Sequence, residues 1–238
     1  MTPNEAKQKL IDAGIVLEAE GLGDFTRGHV TIRNPDNPQE FFMKPHSFGF
    51  DEMTMDNIVT CNLEGEKLAG SGPRHSEVYI HSEIFKVRPD INSVIHAHPT
   101  HALALSATGR PLRAFSQGGA VFADGLGDYR DTIDLIRSKE MGAGVAKSLG
   151  SLKATMLKNH GVAVAGRTLE ECVILTLMLE NACQIQLLAE AAGETAPEFP
   201  RDDIMKLHDK ISRPEQHTIN FNYMVRKSRR ALGLNKEA

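Results

Sequence analysis

Apolar residues fall into short blocks separated by polar and glycine-rich punctuation, and the spacing within the blocks changes along the chain. Residues 4–20 read as a helix, ended by Gly21 and Gly23, residues suited to left-handed backbone. Residues 29–33 and 41–44 read as strands around the turn-rich Asn34-Pro35-Asp36-Asn37-Pro38. Residues 58–62 and 67–69 then pair as a hairpin across 63–66, which predicts a largely antiparallel sheet. Residues 75–87 put Val78, His81, Ile84 and Phe85 on one helical face and stop ahead of Pro89, with Glu77 in the first turn. Residues 91–95 form a buried strand that leads into His96-Ala97-His98, and 99–105 a helix with proline near its first turn. Residues 155–158 and 162–165 are short strands flanking Asn159-His160-Gly161, so His160 lies at a turn. A long helix opens with the capping box Thr168-x-x-Glu171 and runs to Gly193. Two more helical segments of weak amphipathic pattern follow the loop of Pro197 and Pro200, with Pro214 near the start of the last.

No repeat, low-complexity tract or long linker divides the 238 residues, so one domain, 1–238, is the economical reading. A content of 41% hydrophobic and 24% charged residues suffices for a core without staples. Cys61, Cys172 and Cys183 form no CxxC, and an odd number with no apolar leader at the N-terminus points to a reducing, cytoplasmic setting without disulfides. No stretch is expected to supply the ~20 apolar residues of a membrane span. A net charge of −4 argues against a broad nucleic-acid face; Arg226, Lys227, Arg229 and Arg230 read as a solvated helix end.

Candidate chemistry gathers on His96 and His98. Side chains two apart on a strand project to the same face, which puts two imidazoles within reach of one cation. In a chain with 10 histidines such a spacing arises by chance about 0.4 times, so the location at a strand end carries more weight than the spacing. A catalytic divalent ion takes about three protein ligands and keeps one position open, and His160 and Glu77 are the residues to complete the set.

The ordered series Gly28-His29-Val30-Thr31-Ile32-Arg33, Lys44-Pro45, Ser76-Glu77, His81, Arg88-Pro89-Asp90, Val94-Ile95-His96-Ala97-His98, His101, Ser106 and Leu157-Lys158-Asn159-His160-Gly161-Val162 closely resembles the class II aldolase/adducin family over roughly residues 5–230. The resemblance implies an α/β fold in α-β-α layers, with a central largely antiparallel sheet flanked by helices. It also implies a divalent metal on His96, His98 and His160, and Glu77 as metal ligand and acid/base. Zinc comes first, with manganese, iron or cobalt as alternatives. It further implies a homotetramer whose sites lie at subunit boundaries, where Tyr223 or Arg226 of a neighbour's C-terminal segment would complete the pocket.

Sugar-phosphate members carry an Asn after the first strand's glycine, a Thr-Gly in the next loop and paired serines before the glutamate. This chain has His29, the segment from Lys44 to Gly49, and Arg74-His75-Ser76 in those places. Arg74 offers a planar fork to a carboxylate, and Ser76, His29 and His46 join it as substrate-binding candidates. The similarity to decarboxylases of hydroxylated aromatic acids implies a metal-dependent lyase acting on a small carboxylate, a decarboxylase of a hydroxylated aromatic or heteroaromatic carboxylic acid, with Glu77 or His75 returning the proton. A retro-aldolase or epimerase acting on a sugar phosphate or short hydroxy acid is the alternative. A non-catalytic scaffold would have lost the metal set that is retained here.

Overall fold

The computed structural model of the chain describes residues 1–193 and 195–234. Eight strands form one sheet in the order β4-β3-β2-β1-β5-β8-β7-β6: β1 His29–Arg33, β2 Glu40–Met43, β3 Val59–Asn62, β4 Lys67–Ala69, β5 Ser93–Ala97, β6 Gly127–Tyr129, β7 Ala154–Leu157 and β8 Gly161–Gly166. Every neighbouring pair is antiparallel except β6 with β7. Among the described residues the helices are α1 Pro3–Ala19, α2 Val78–Val87, α3 Thr100–Thr108, α4 Gln117–Ala120, α5 Lys139–Leu149, α6 Leu169–Ala191, α7 Arg201–Ile211 and α8 Pro214–Ala231, with one 3-10 turn at Phe50–Glu52.

The strand alternation feeds two separate cores. Val30, Ile32, Ile95, Val162 and Val164 point to one face, where Leu10, Leu17, Leu105, Leu175 and Phe221 from α1, α3, α6 and α8 cover them. Phe41, Met43, Val94, Ala163 and Ala165 point to the other, against Ile80, Ile84 and Phe85 of α2 and Val145 of α5. This is the predicted α/β layering. Cys61, Cys172 and Cys183 are buried free thiols in these cores; burial pushes Cys61 and Cys183 up to about 12.

Three expectations need correction. Helix α2 starts at Val78, and Glu77 sits at its N-cap position with no cap bond from its side chain, so the carboxylate is free for other work. Thr168 caps α6 by accepting from the Glu171 N–H, but the Glu171 carboxylate reaches past it to the Arg167 N–H, so the capping box is only half formed. Helix α6 is long and apolar enough to span a bilayer by length and composition; here half of its most apolar stretch is buried within the protein. Elements β6, α4 and α5 were not expected from the pattern of apolar positions.

Candidate metal centre and cleft

Cross-strand register builds the site. His29 of β1 lies directly opposite His96 of β5, and small Ala163 of β8 flanks His96 on its other side. Strand β5 runs from Ser93 through Ala97, two residues later than the sequence pattern indicates, so His96 is in the strand and His98 just beyond its end. Their rings still converge, with Nε2 atoms 3.1 Å apart. His160 arrives from the β7–β8 turn, in which Asn159 adopts left-handed φ of 59° and the His160 N–H donates to the Leu157 carbonyl at 2.9 Å. Gly161 is required there: a Cβ would stand 2.6 Å from the Ala97 carbonyl oxygen and 2.8 Å from the His98 ring.

Hydrogen bonds decide what the rings can do. His96 Nδ1–H donates to the Val162 carbonyl at 3.0 Å, and His98 Nδ1 lies 2.8 Å from the Asp24 carboxylate, to which it donates. Both Nε2 atoms therefore carry lone pairs, and the two lone pairs face each other at a separation no hydrogen bond explains. Both His160 ring nitrogens are buried without a hydrogen-bond partner among the described residues. One ligand atom each from His96, His98 and His160 lie within 4.8 Å of one another, as do those of His29, Glu77 and His96. Burial holds His96 and His98 below the usual imidazole value and His160 at about 4, so the lone pairs persist at neutral pH. Three inward-facing neutral imidazoles, two of them oriented through Nδ1 by oxygen acceptors, fit a divalent cation.

Glu77 completes the corner. Its Oε1 accepts the Ile136 N–H at 2.8 Å and lies 3.5 Å from His160 Nε2; its Oε2 lies 3.8 Å from His29 Nε2. Burial raises its carboxyl above the usual range, against the opposing pull of the Ile136 N–H and Arg137. That is the direction a proton-returning acid needs.

These groups open into a cleft of about 560 Å³, which His29, His46, His75, Ser76 and Glu77 all line. His75 Nε2–H donates to the Pro45 carbonyl at 3.2 Å, and burial drives the ring down to about 2. Burial thus favours the neutral form of His75 and the protonated form of Glu77. Two other candidates lie outside this chain's own cleft. The Arg74 guanidinium stands 6.0 Å over the Tyr79 ring and is not among the residues that line the cleft, and Tyr223 stands on an exposed part of α8. His101 Nδ1 pairs with Glu180 at 2.7 Å.

Sequence reasoning missed Asp24, Arg27 and Asn159, which line the cleft. Asp24 bridges His98 and Arg27, the latter at 2.7 Å. Buried Lys44 ties this loop down by donating to the Thr26 and Pro45 carbonyls. The signal available was two opposite charges just ahead of Gly28, whose left-handed φ of 73° starts β1.

Residues 8–187 match the model of the class II aldolase and adducin N-terminal domain. The chain belongs to this family. The meiotically up-regulated gene 14 protein of Schizosaccharomyces pombe is 37% identical over 174 residues, 72% of this chain and 68% of that protein. The 3,4-dihydroxyphthalate decarboxylase of Arthrobacter keyseri is 27% identical over 226 residues, 88% of each chain. Among solved structures, the L-fuculose 1-phosphate aldolase from Glaciozyma antarctica PI12 superposes with a TM-score of 0.85 at 26% identity, covering 99% of this chain and 93% of that one. Both named enzymes are lyases, in agreement with the metal-dependent lyase expected from the sequence.

Proposed function

We propose that this class II aldolase family member is a divalent-metal-dependent decarboxylase of a hydroxylated aromatic carboxylic acid. His96, His98 and His160 would hold the ion, with Glu77 as the fourth ligand; zinc is the first choice, and manganese, iron or cobalt also suit imidazole and carboxylate donors. When bound, the ion supplies an electron sink beside the scissile bond. The remaining work falls to the chain. Glu77, held by the Ile136 N–H and raised by burial, stores a proton on the carboxyl edge that faces the cleft and delivers it to the ring carbon that has lost CO2. Arg27 at the rim offers a cation to the substrate carboxylate, while His29, His46 and Ser76 supply polar contacts along the wall. The same reading places the enzyme in the cytoplasm as a homotetramer, with Tyr223 of a neighbouring copy near the cleft mouth.

The observation that carries this reading is the facing pair of bare Nε2 atoms on His96 and His98, together with an imidazole-rich wall in place of phosphate donors. The Arthrobacter keyseri decarboxylase, matched over 88% of its length, supports the choice of reaction. The second reading, aldol cleavage of a sugar phosphate, draws on the likeness to the L-fuculose 1-phosphate aldolase. Metal-loaded protein assayed with hydroxybenzoates, 3,4-dihydroxyphthalate and L-fuculose 1-phosphate separates the two. The expected result is CO2 without a carbonyl product, and a carbonyl product without CO2 overturns it. Glu77→Gln should cut turnover by roughly 10²–10⁴-fold while the histidines retain the ion.

A further inference from the structure

A chain of hydrogen bonds runs beneath the cleft and ends on His29. It begins at the main-chain carbonyl of Val94 in β5, which can only accept. Thr31 Oγ1 donates to that carbonyl at 3.1 Å, so the hydroxyl is left with lone pairs and takes the Nδ1–H of His81 at 2.8 Å. His81 Nε2 is then a bare acceptor, and it faces His29 Nδ1 at 2.6 Å, which must supply the hydrogen. All three side chains are buried, and burial keeps both rings neutral. One atom is left over. His29 Nε2 is buried with no hydrogen-bond partner among the described residues and sits 3.8 Å from Glu77 Oε2 at the cleft wall.

We infer that Thr31 and His81 form a positioning device that fixes the tautomer of His29, so that His29 Nε2 accepts a hydrogen bond from a substrate hydroxyl and turns away an anionic oxygen at that corner. This deepens the hydroxy-acid reading and rests on it for the source of the hydroxyl. A neutral imidazole lone pair against a phosphate or carboxylate oxygen sets two acceptors face to face, with water largely excluded; a hydroxyl in the same place satisfies both partners. The opposite direction of donation would require Thr31 to give its one hydrogen to His81, leaving the Val94 carbonyl without it. His81 is fully buried and touches no substrate, so its effect passes through His29.

The test uses metal-loaded protein with ¹⁵N-labelled histidine. Long-range ¹H–¹⁵N correlation of the wild type should show the hydrogen of His29 on Nδ1. Calorimetry with catechol and with inorganic sulfate, an oxyanion with no hydrogen to give, as probes should show a preference for catechol of roughly tenfold, the equivalent of one well-made hydrogen bond. His81→Leu removes the acceptor and should erase that preference. His81→Gln places an amide oxygen near the lost ring nitrogen and should restore it. His29→Asn, which can donate, should shift the preference towards sulfate even if His81→Leu fails to fold. An Nε2-protonated His29 in the wild type overturns the inference, as does wild-type protein that ignores catechol, or a catechol-to-sulfate ratio unmoved in His29→Asn. Failure of every hydroxyaromatic acid to release CO2 would sink the decarboxylase reading alone, because neither the tautomer nor the probe ratio depends on turnover.

Discussion

Two groups of imidazoles share one face of the sheet, and their hydrogen bonds divide them. His96 and His98 anchor Nδ1 on oxygen acceptors and turn bare Nε2 atoms towards each other; His29 and His81 are strung in series from Thr31, so that each lone pair but the last is used. Residue type and depressed basicity are the same in both groups, with His98 less buried than the other three. What differs is the second nitrogen's partner, which fits one set to hold a cation, as a cradle, and the other to pass a hydrogen bond in one direction, as a relay. The distance from His29 to His96 is one cross-strand step, so the two devices meet at Glu77.

The largest expected effect breaks the cradle. His96→Ala or His98→Ala should abolish bound metal and turnover together, while His81→Leu, an equally buried imidazole, should leave metal content near wild type. Elemental analysis of the purified variants decides it, and full occupancy in the His96 or His98 variant would dissolve the distinction between the groups. A smaller effect is expected one bond further out. Asp24→Asn keeps an oxygen for His98 Nδ1–H but loses the charge, and metal affinity should weaken by roughly 10–100-fold in a chelator competition.

The cradle was legible in the sequence because period-two alternation and a turn signal are local: His96 and His98 follow from a strand end, His160 from Asn159 and Gly161. The relay was not, since nothing local says that His29 opposes His96 or that the His81 side of α2 faces β1. Helix α5 escaped notice for a physical reason. It contains Gly142 and Gly144, poor helix formers, yet a Cβ at Gly142 would stand 2.4 Å from the Tyr79 carbonyl, so the glycine is what lets α2 and α5 approach. Strand β6 is three residues long and exists only through its parallel pairing with β7. Asp24 and Arg27 lie in a loop whose role depends on where Gly28 turns the chain.

Acid should sharpen the comparison through stability. Burial depresses His160 to about 4 and His81 to about 3, while the unfolded rings titrate near 6.5. Between those values the unfolded chain binds more protons than the folded one, so stability is whole above pH 6.5 and is lost progressively as pH falls towards 4 and then 3. Metal-free protein should therefore show a lower urea midpoint at pH 5 than at pH 8. His81→Gln should flatten that slope, because a ring that no longer titrates contributes nothing to it; an unchanged slope would mean that His81 is charged in the folded protein.

The smallest difference concerns two arginines, one in the lining of the cleft and one outside it. Arg27 lines the cleft with a side chain that is 62% exposed and already tied to Asp24, whereas Arg74 is not among the lining residues and stands over the Tyr79 ring. A rim cation gains little from an exposed ion pair but can still fix a carboxylate in two parallel hydrogen bonds. Arg27→Ala should thus raise KM for a carboxylate substrate by roughly tenfold with kcat nearly unchanged, the pattern of lost ground-state binding. Arg74→Ala should leave KM within about twofold and cost stability instead, about 0.5–1 kcal/mol from the lost contact with the Tyr79 ring. If KM instead rises with Arg74→Ala and not with Arg27→Ala, Arg74 holds the substrate carboxylate and the rim beside Asp24 is not its site.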